Sequence, residues 1–251
     1  MTRCPTKVCE TSCPVNGGVS IVRFMTKTAE SAQPDGRSTR WNDHKEQRKA
    51  RILDAALDAV NEGGADVGVQ QIAERADVPR SVVYRIFKDR ADLDEQLRVR
   101  ILEMMMTDLT PTLTPQGTVG EAISRAVETY LQWIVKYPRL HHFLGKGSPS
   151  TRATGSKVVT GTKTAIAVQL GNLLGAILAS RGKSSKMAEP LAFGVIGLVD
   201  VSVNRWLSQP GSDVTSAELA EFLGRSIWQV LDGNLRSIGV DITLSTPIAD
   251  L

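Results

Sequence analysis

The chain has 251 residues, 41% of them hydrophobic and 5% aromatic, with 30 Lys and Arg against 27 Asp and Glu. That is enough apolar material for a buried core, while a net charge of +3 is too small to mark the whole molecule as a nucleic-acid binder. Period-2 runs of β-branched residues are scarce beside long Ala-, Leu-, Glu- and Arg-rich stretches, so the expected fold class is all-α.

Residues 1–36 read as a disordered N-terminal arm rich in Pro, Thr, Ser and Gly, in which Met25 is an alternative translation start. All three cysteines, Cys4, Cys9 and Cys13, fall in this arm, so none remains to staple the body, and a reducing compartment is implied. Their spacing is not CxxC and a fourth ligand is missing, so neither a metal nor another cofactor is expected. The arm has no apolar leader core, and the run "LAFGVIGLV" at 191–199 is half a membrane span before Asp200 interrupts it. A soluble, cytoplasmic protein with no membrane partner follows.

The first helix is predicted from about Asn42 to Glu62, with Ile52, Ala55, Ala56, Ala59 and Val60 as its apolar stripe and Gly63-Gly64 as its stop. Six bases lie between Gly36 and Arg51, among them Arg37, Arg40, Lys45 and Arg48, against Asp43 and Glu46. "GVQQIAERA" at 68–76 is a two-turn helix, "DVP" a tight turn, and "PRSVVYRIF" a second short helix, which together make a helix-turn-helix. In the second of these Val83 and Phe87 face inward, four residues apart, while Arg80, Ser81, Val82 and Tyr84 lie on or beside the opposite face. Arg80, Arg85, Lys88 and Arg90 gather positive charge there, with only Asp89 against them before Asp92.

The stretch Arg51 to Leu97, "RILDAALDAVNEGGADVGVQQIAERADVPRSVVYRIFKDRADLDEQL", resembles the N-terminal domain of the TetR family of bacterial transcription regulators. That resemblance implies a DNA-binding domain over 37–97, with Arg80, Ser81 and Val82 approaching base edges and Tyr84 bonding a phosphate. It further implies that Arg90 anchors the DNA backbone where the fourth helix begins. Arg85 and Lys88, rotated away from Ser81 on the helix, are read as solvated or second-line phosphate contacts rather than base readers. Arg48, with Arg37, Arg40 and Lys45 in the basic segment around the first helix, reads either as an ordinary charged helix end or, by resemblance, as a segment that reaches the DNA backbone or minor groove. The chemistry suits the roles: a guanidinium matches guanine O6 and N7 as a fork, and Val meets a thymine methyl. Four positions depart from the pattern: Gly68 at the second helix cap, Asp77 for the turn Gly, Pro79 at the start of the recognition helix, and Ile86 for a phosphate-bonding His or Tyr. Gly caps acceptably, Asp tolerates left-handed dihedrals and Pro suits a first turn, so the fold is expected to survive while two phosphate contacts are lost.

Beyond Leu97 only helix pattern is readable. The prediction is a helical effector-binding and dimerisation domain over 98–240 and a tail over 241–251. A fourth helix runs through "ADLDEQLRVRILEMMMTDL" to Pro111; Thr118 and Glu121 form a capping box that opens the fifth, which ends at Pro138. A short turn holds "RLHHFL", a Gly/Ser-rich loop covers about 145–156, and helices follow at about 157–181, 187–208 and 216–238, the last opened by Thr215 and Glu218. By resemblance the last two helices form a homodimer interface, with Leu219, Phe222, Leu223, Ile227 and Val230 as its residues. Met105, Tyr130, Trp133, Tyr137 and Phe143 are the large side chains placed to line a pocket for a small apolar effector. His141 and His142 diverge by about 100° on a helix and are not expected to hold a metal together.

No Gly-rich phosphate loop, HExxH or GxSxG is present, and the three histidines leave little for acid-base chemistry, so an enzyme is not expected. The reading is a ligand-responsive regulator, a repressor, that binds a palindromic duplex operator as a dimer. The competing class is a helical small-molecule-binding protein without a DNA role, which salt-sensitive retention on duplex DNA would exclude.

Overall fold

The computed structural model describes residues 36–114, 116–146, 156–209 and 211–251, with side chains from His44 onward. Among these residues there are nine α-helices and no strands: α1 (Gly36–Gly63), α2 (Val69–Arg75), α3 (Arg80–Ile86), α4 (Arg90–Leu109), α5 (Val119–Lys136), α6 (Pro138–Gly145), α7 (Lys157–Ser180), α8 (Ala188–Leu207) and α9 (Ser216–Ser237). The arm with its cysteines, and most of the Gly/Ser-rich loop, lie outside the described residues.

α1 begins at Gly36, six residues ahead of the sequence expectation, and its predicted stripe is buried from Ile52 to Val60. Ile72 and Ala73 of α2, Val83 of α3 and Phe87 just beyond it complete a small core with Leu93 and Leu97 of α4. α4 then continues without a break past the domain boundary expected at 97/98. One rigid rod therefore belongs to both the N-terminal helices and the larger bundle, an arrangement suited to passing movement between them.

The capping boxes set two helix starts. Thr118 Oγ1 accepts from the Glu121 N–H of α5, and Thr215 Oγ1 from the Glu218 N–H of α9, each carboxylate accepting in return from the threonine's own N–H. "RLHHFL" is a helix rather than a turn, because Pro138 supplies its first residue and four apolar or buried side chains, Leu140, His141, Phe143 and Leu144, hold one face inward. α5 packs on α9, and α7 on α8. By length and composition α7 and α8 would each be able to cross a bilayer, a property hidden in sequence because the apolar run at 191–199 is only part of α8. In the structure they pack closely instead: a Cβ on Gly171 would lie 3.1 Å from Glu189 Cα.

The segment after α9 is more than a tail. Val240 and Ile242 are buried, and the chain then runs back across the start of α5, where the Val119 and Gly120 N–H groups donate to Thr246 and Leu244 carbonyls at 3.0 and 2.9 Å. Those two amides are ones a helix start leaves without partners.

Candidate nucleic-acid interface and an internal cavity

The recognition helix is presented by a turn that the departures from the family pattern serve well. The Gly68 N–H donates to Gln71 Oε1 at 2.9 Å in place of a capping side chain on residue 68. Asp77 takes φ 50, the left-handed conformation expected for this position, and the Val78 N–H returns to the Ala73 carbonyl at 3.0 Å. Pro79 caps α3 in an extended conformation, so its missing N–H costs nothing. Val83 and Phe87 are each 1% exposed, which turns Arg80, Ser81, Tyr84 and Arg85 to solvent, with Val82 and Ile86 half-buried at the edges.

Arg80 is pre-positioned. One guanidinium nitrogen donates to the Tyr84 hydroxyl at 3.2 Å, and the group lies 5.4 Å from the Tyr84 ring centroid. Arg85, Lys88 and, on α1, Arg48 are exposed, and no ion pair among the described residues engages them. Arg90, expected to anchor the DNA backbone, is held within the protein. Its Nε donates to Asp94 Oδ1 at 2.7 Å and a terminal nitrogen to the Val67 carbonyl at 2.7 Å, so the side chain knits the start of α4 to the loop before α2. Asp89 caps α4, accepting from the Asp92 N–H at 2.8 Å.

The bundle is tied to these helices through α6. Arg139 donates to the Asn61 carbonyl at 3.2 Å and also to the Glu62 carbonyl, at the C-terminal end of α1, where a cation is favoured. Lys146 reaches Asp66 at 2.9 Å, holding the Asp66 carboxyl below its usual range by hydrogen bonding and charge. Arg98, 2% exposed on α4, donates to Glu95 at 3.1 Å and to the Lys146 carbonyl at 2.7 Å and lies 5.1 Å from the Phe143 ring, while Glu95 accepts from Ser156 and the Val158 N–H of α7.

Between α4, α5, α7, α8 and α9 lies a cavity of about 520 Å³, closed at one side by Ile248 and Leu251. Of the residues named as candidate pocket side chains, Met105 and Tyr130 line this cavity and Trp133, Tyr137 and Phe143 do not. The cavity ends where α6 folds back at Pro138. Trp133 is buried there with its ring 5.5 Å from Tyr137, and Phe143 is buried beneath Arg98. The polar residues of the wall include His141, Lys163, Asp200 and Asn204, with Thr112, Thr114, Thr162 and Gln169 elsewhere in the lining. His141 is buried and His142 exposed, as adjacent positions on one helix turn require. Burial, then the Lys163 charge and weakly His142, push the His141 imidazole down to about 4 against the opposing pull of Asp200, so it is neutral near pH 7. Burial and the Asp200 charge raise the Tyr130 phenol well above its usual range.

The expected interface residues of α9 divide. Leu219, Leu223 and Ile227 are buried in the chain's own core on the side that meets α5, so they do not face outward; Phe222 and Val230 do, 46% and 37% exposed. The reason is geometric: the core column steps by four residues, whereas Phe222 and Val230, each one residue before a column position, lie on its flank. On neighbouring α8, Phe193 and Val201 are exposed, and Gly194 and Gly197 open onto empty space on the same face.

Residues 52–97 match the family described as bacterial regulatory proteins, tetR family. Over 212 residues the chain is 25% identical to uncharacterized HTH-type transcriptional regulators from two strains of Mycobacterium tuberculosis, CDC 1551 / Oshkosh and H37Rv, covering 84% of this chain and 88% of each relative. Its fold is similar to a tetR-family transcriptional regulator from Streptomyces coelicolor, with a TM-score of 0.59 at 21% identity over 76% of this chain and 83% of that one. A putative transcriptional regulator from Pseudomonas aeruginosa PAO1 is similar at a TM-score of 0.58 and 16% identity, over 77% and 94% of the two chains. An exposed arginine-bearing helix on a helix-turn-helix is thus accompanied by similar relatives along most of the chain; residues 52–97 form a DNA-binding domain of the tetR type, and the protein is a DNA-binding transcriptional regulator.

Proposed function

We propose that the protein is a homodimeric repressor that reads a palindromic operator and leaves it when a small, largely apolar molecule fills the cavity. The observation that carries this reading is the double attachment of α6. One face of this eight-residue helix contributes His141 and Leu144 to the cavity wall, while Arg139 holds the carbonyl end of α1. A ligand that favours one position of α6 therefore biases the position of the helices that carry α3. Such a ligand releases DNA only to the extent that it binds the released geometry more tightly.

The dimer brings two copies of α3 to successive major grooves, about 34–36 Å apart. The exposed stripe of Phe193, Gly194, Gly197 and Val201 on α8, with Phe222 and Val230 on α9, supports a two-fold helical interface. Acting on a bacterial chromosome requires residence in the cytoplasm. No cofactor is needed for any of these steps.

The test is to sequence the DNA that co-purifies with the protein, rebuild the recurring site as a duplex, and measure binding at several salt concentrations. Specific affinity well above that for random duplex, falling steeply with salt, supports the reading; equal weak affinity for every sequence removes it. Repression is checked by a reporter placed behind the recovered site.

A further inference from the structure

The cavity's ionised side chains are Lys163 and Asp200, and they are already matched. Lys163 Nζ lies 2.7 Å from Asp200 Oδ1, and Asn204 Nδ2 donates to the same oxygen at 2.8 Å. On α5 and α6, within electrostatic reach of this pair, the Tyr130 hydroxyl is 3.3 Å from His141 Nε2 with the rings set edge to face. The remaining wall is chiefly Leu, Ile, Val, Ala and Met. The polar end of the cavity thus offers hydrogen bonds and no net charge.

We propose that the cavity takes an apolar molecule bearing one neutral hydrogen-bonding head, a hydroxyl or a ketone, seated on Tyr130 and His141, and that the Lys163–Asp200 pair excludes acids and amines of the same body. This rests on the cavity being the effector site. The Tyr130–His141 pair accommodates either head. If the phenol donates to the imidazole, its oxygen remains an acceptor for a hydroxyl; with the other tautomer, the phenol O–H is left to donate to a ketone. A carboxylate finds no uncommitted cation, since Lys163 is held by Asp200, and it approaches the Asp200 charge. An ammonium meets Lys163. Either ion enters a largely apolar space without a partner, which is costly. The neutral imidazole of His141 supplies no compensating charge near pH 7.

The experiment is calorimetric titration of the full-length protein at neutral pH with decanol, decanone, decanoate and decylamine, which share one apolar body. Decanol and decanone are expected to bind at least about tenfold more tightly than the two ions, the order of discrimination a buried polar mismatch supplies. Tyr130→Phe should narrow that gap by weakening the neutral pair. Asp200→Asn leaves Lys163 uncommitted and should make decanoate the tightest of the four, a reversal that a general preference for neutral ligands does not produce. Ala126→Trp, which fills the cavity, should abolish binding of all four. Equal affinities, or a wild-type preference for either ion, overturn the head-group assignment and leave the cavity reading standing. Failure of all four to bind, or binding indifferent to Ala126→Trp, overturns the cavity reading and this inference with it. The four wild-type affinities decide the head group even where a variant does not fold.

Discussion

Arg80 and Arg90 carry the same charge and bracket the recognition helix, yet their surroundings separate them. Arg80 is exposed and held only by Tyr84, a contact easily exchanged for a base edge. Arg80→Ala is expected to cost about 1–3 kcal/mol on the operator, relax preference at one position per half-site, and change random-duplex affinity much less. Titrations on the operator, a single-position variant set and random duplex at fixed salt measure this. Arg90→Ala should instead lower the melting temperature, because it leaves Asp94 and the Val67 carbonyl without their donor, and should leave the salt slope nearly unchanged. The uncommitted cation beside it is Lys88, and Lys88→Ala is expected to reduce the salt slope by about one. An acid four residues after Arg90 was visible in the sequence and hinted at this inward pairing. The Val67 carbonyl, 23 positions earlier, was not, because only the folded turn brings it there.

At the scale of helices, legibility followed punctuation. α5 and α9 begin one residue after Thr118 and Thr215, where the capping boxes put them. α6 escaped notice because eight residues give too few repeats for a periodic signal, and its inward face exists only through packing on α1, α4 and α5. On α9 the existence of an apolar face was legible, but which residues remain outside the chain's own core was not, since that depends on where α5 lies. Phe222→Glu with Val230→Glu is expected to give monomers by sedimentation while retaining most of the helical circular dichroism. Ile227→Glu, which buries a carboxylate within one chain, should instead unfold the protein. A separate element-scale consequence concerns α6: Arg139→Ala should leave ligand affinity in place and weaken ligand-induced release of DNA, as read by anisotropy of a labelled operator with and without ligand.

Across the whole molecule, the helical class and the N-terminal helix-turn-helix domain were readable because a helix-turn-helix is local, its residues contiguous from Val69 to Ile86. The cavity is non-local: Tyr130, His141, Lys163 and Asp200 come from four different helices, and no spacing rule relates them. Their assembly has a pH consequence. His141 titrates at about 4 in the folded chain against 6.5 ordinarily, so the stability drawn from keeping it neutral is fully present above about pH 6.5 and is lost as pH falls toward 4. The melting temperature should decline across that window, and His141→Gln should flatten the decline. One wall of the cavity differs from the rest in kind. It is made by Ile248 and Leu251 on the return of the chain after α9, a turn at Leu244 followed by a short 3-10 helix, Ile248–Asp250, and it is fastened by the amides that open α5, by the Ile248 N–H to the Gly117 carbonyl at 2.8 Å, and by Arg181 on the Leu251 carbonyl at 2.7 Å. It passes so near Gly120 that an added Cβ would meet the Leu244 carbonyl oxygen at 3.1 Å. Gly120→Ala is therefore expected to loosen that wall and shorten the residence time of a bound ligand in stopped-flow exchange, while the ranking among ligand heads stays as it was; on the proposed reading, how long the regulator remembers its signal and which signal it accepts are governed by separate parts of the chain.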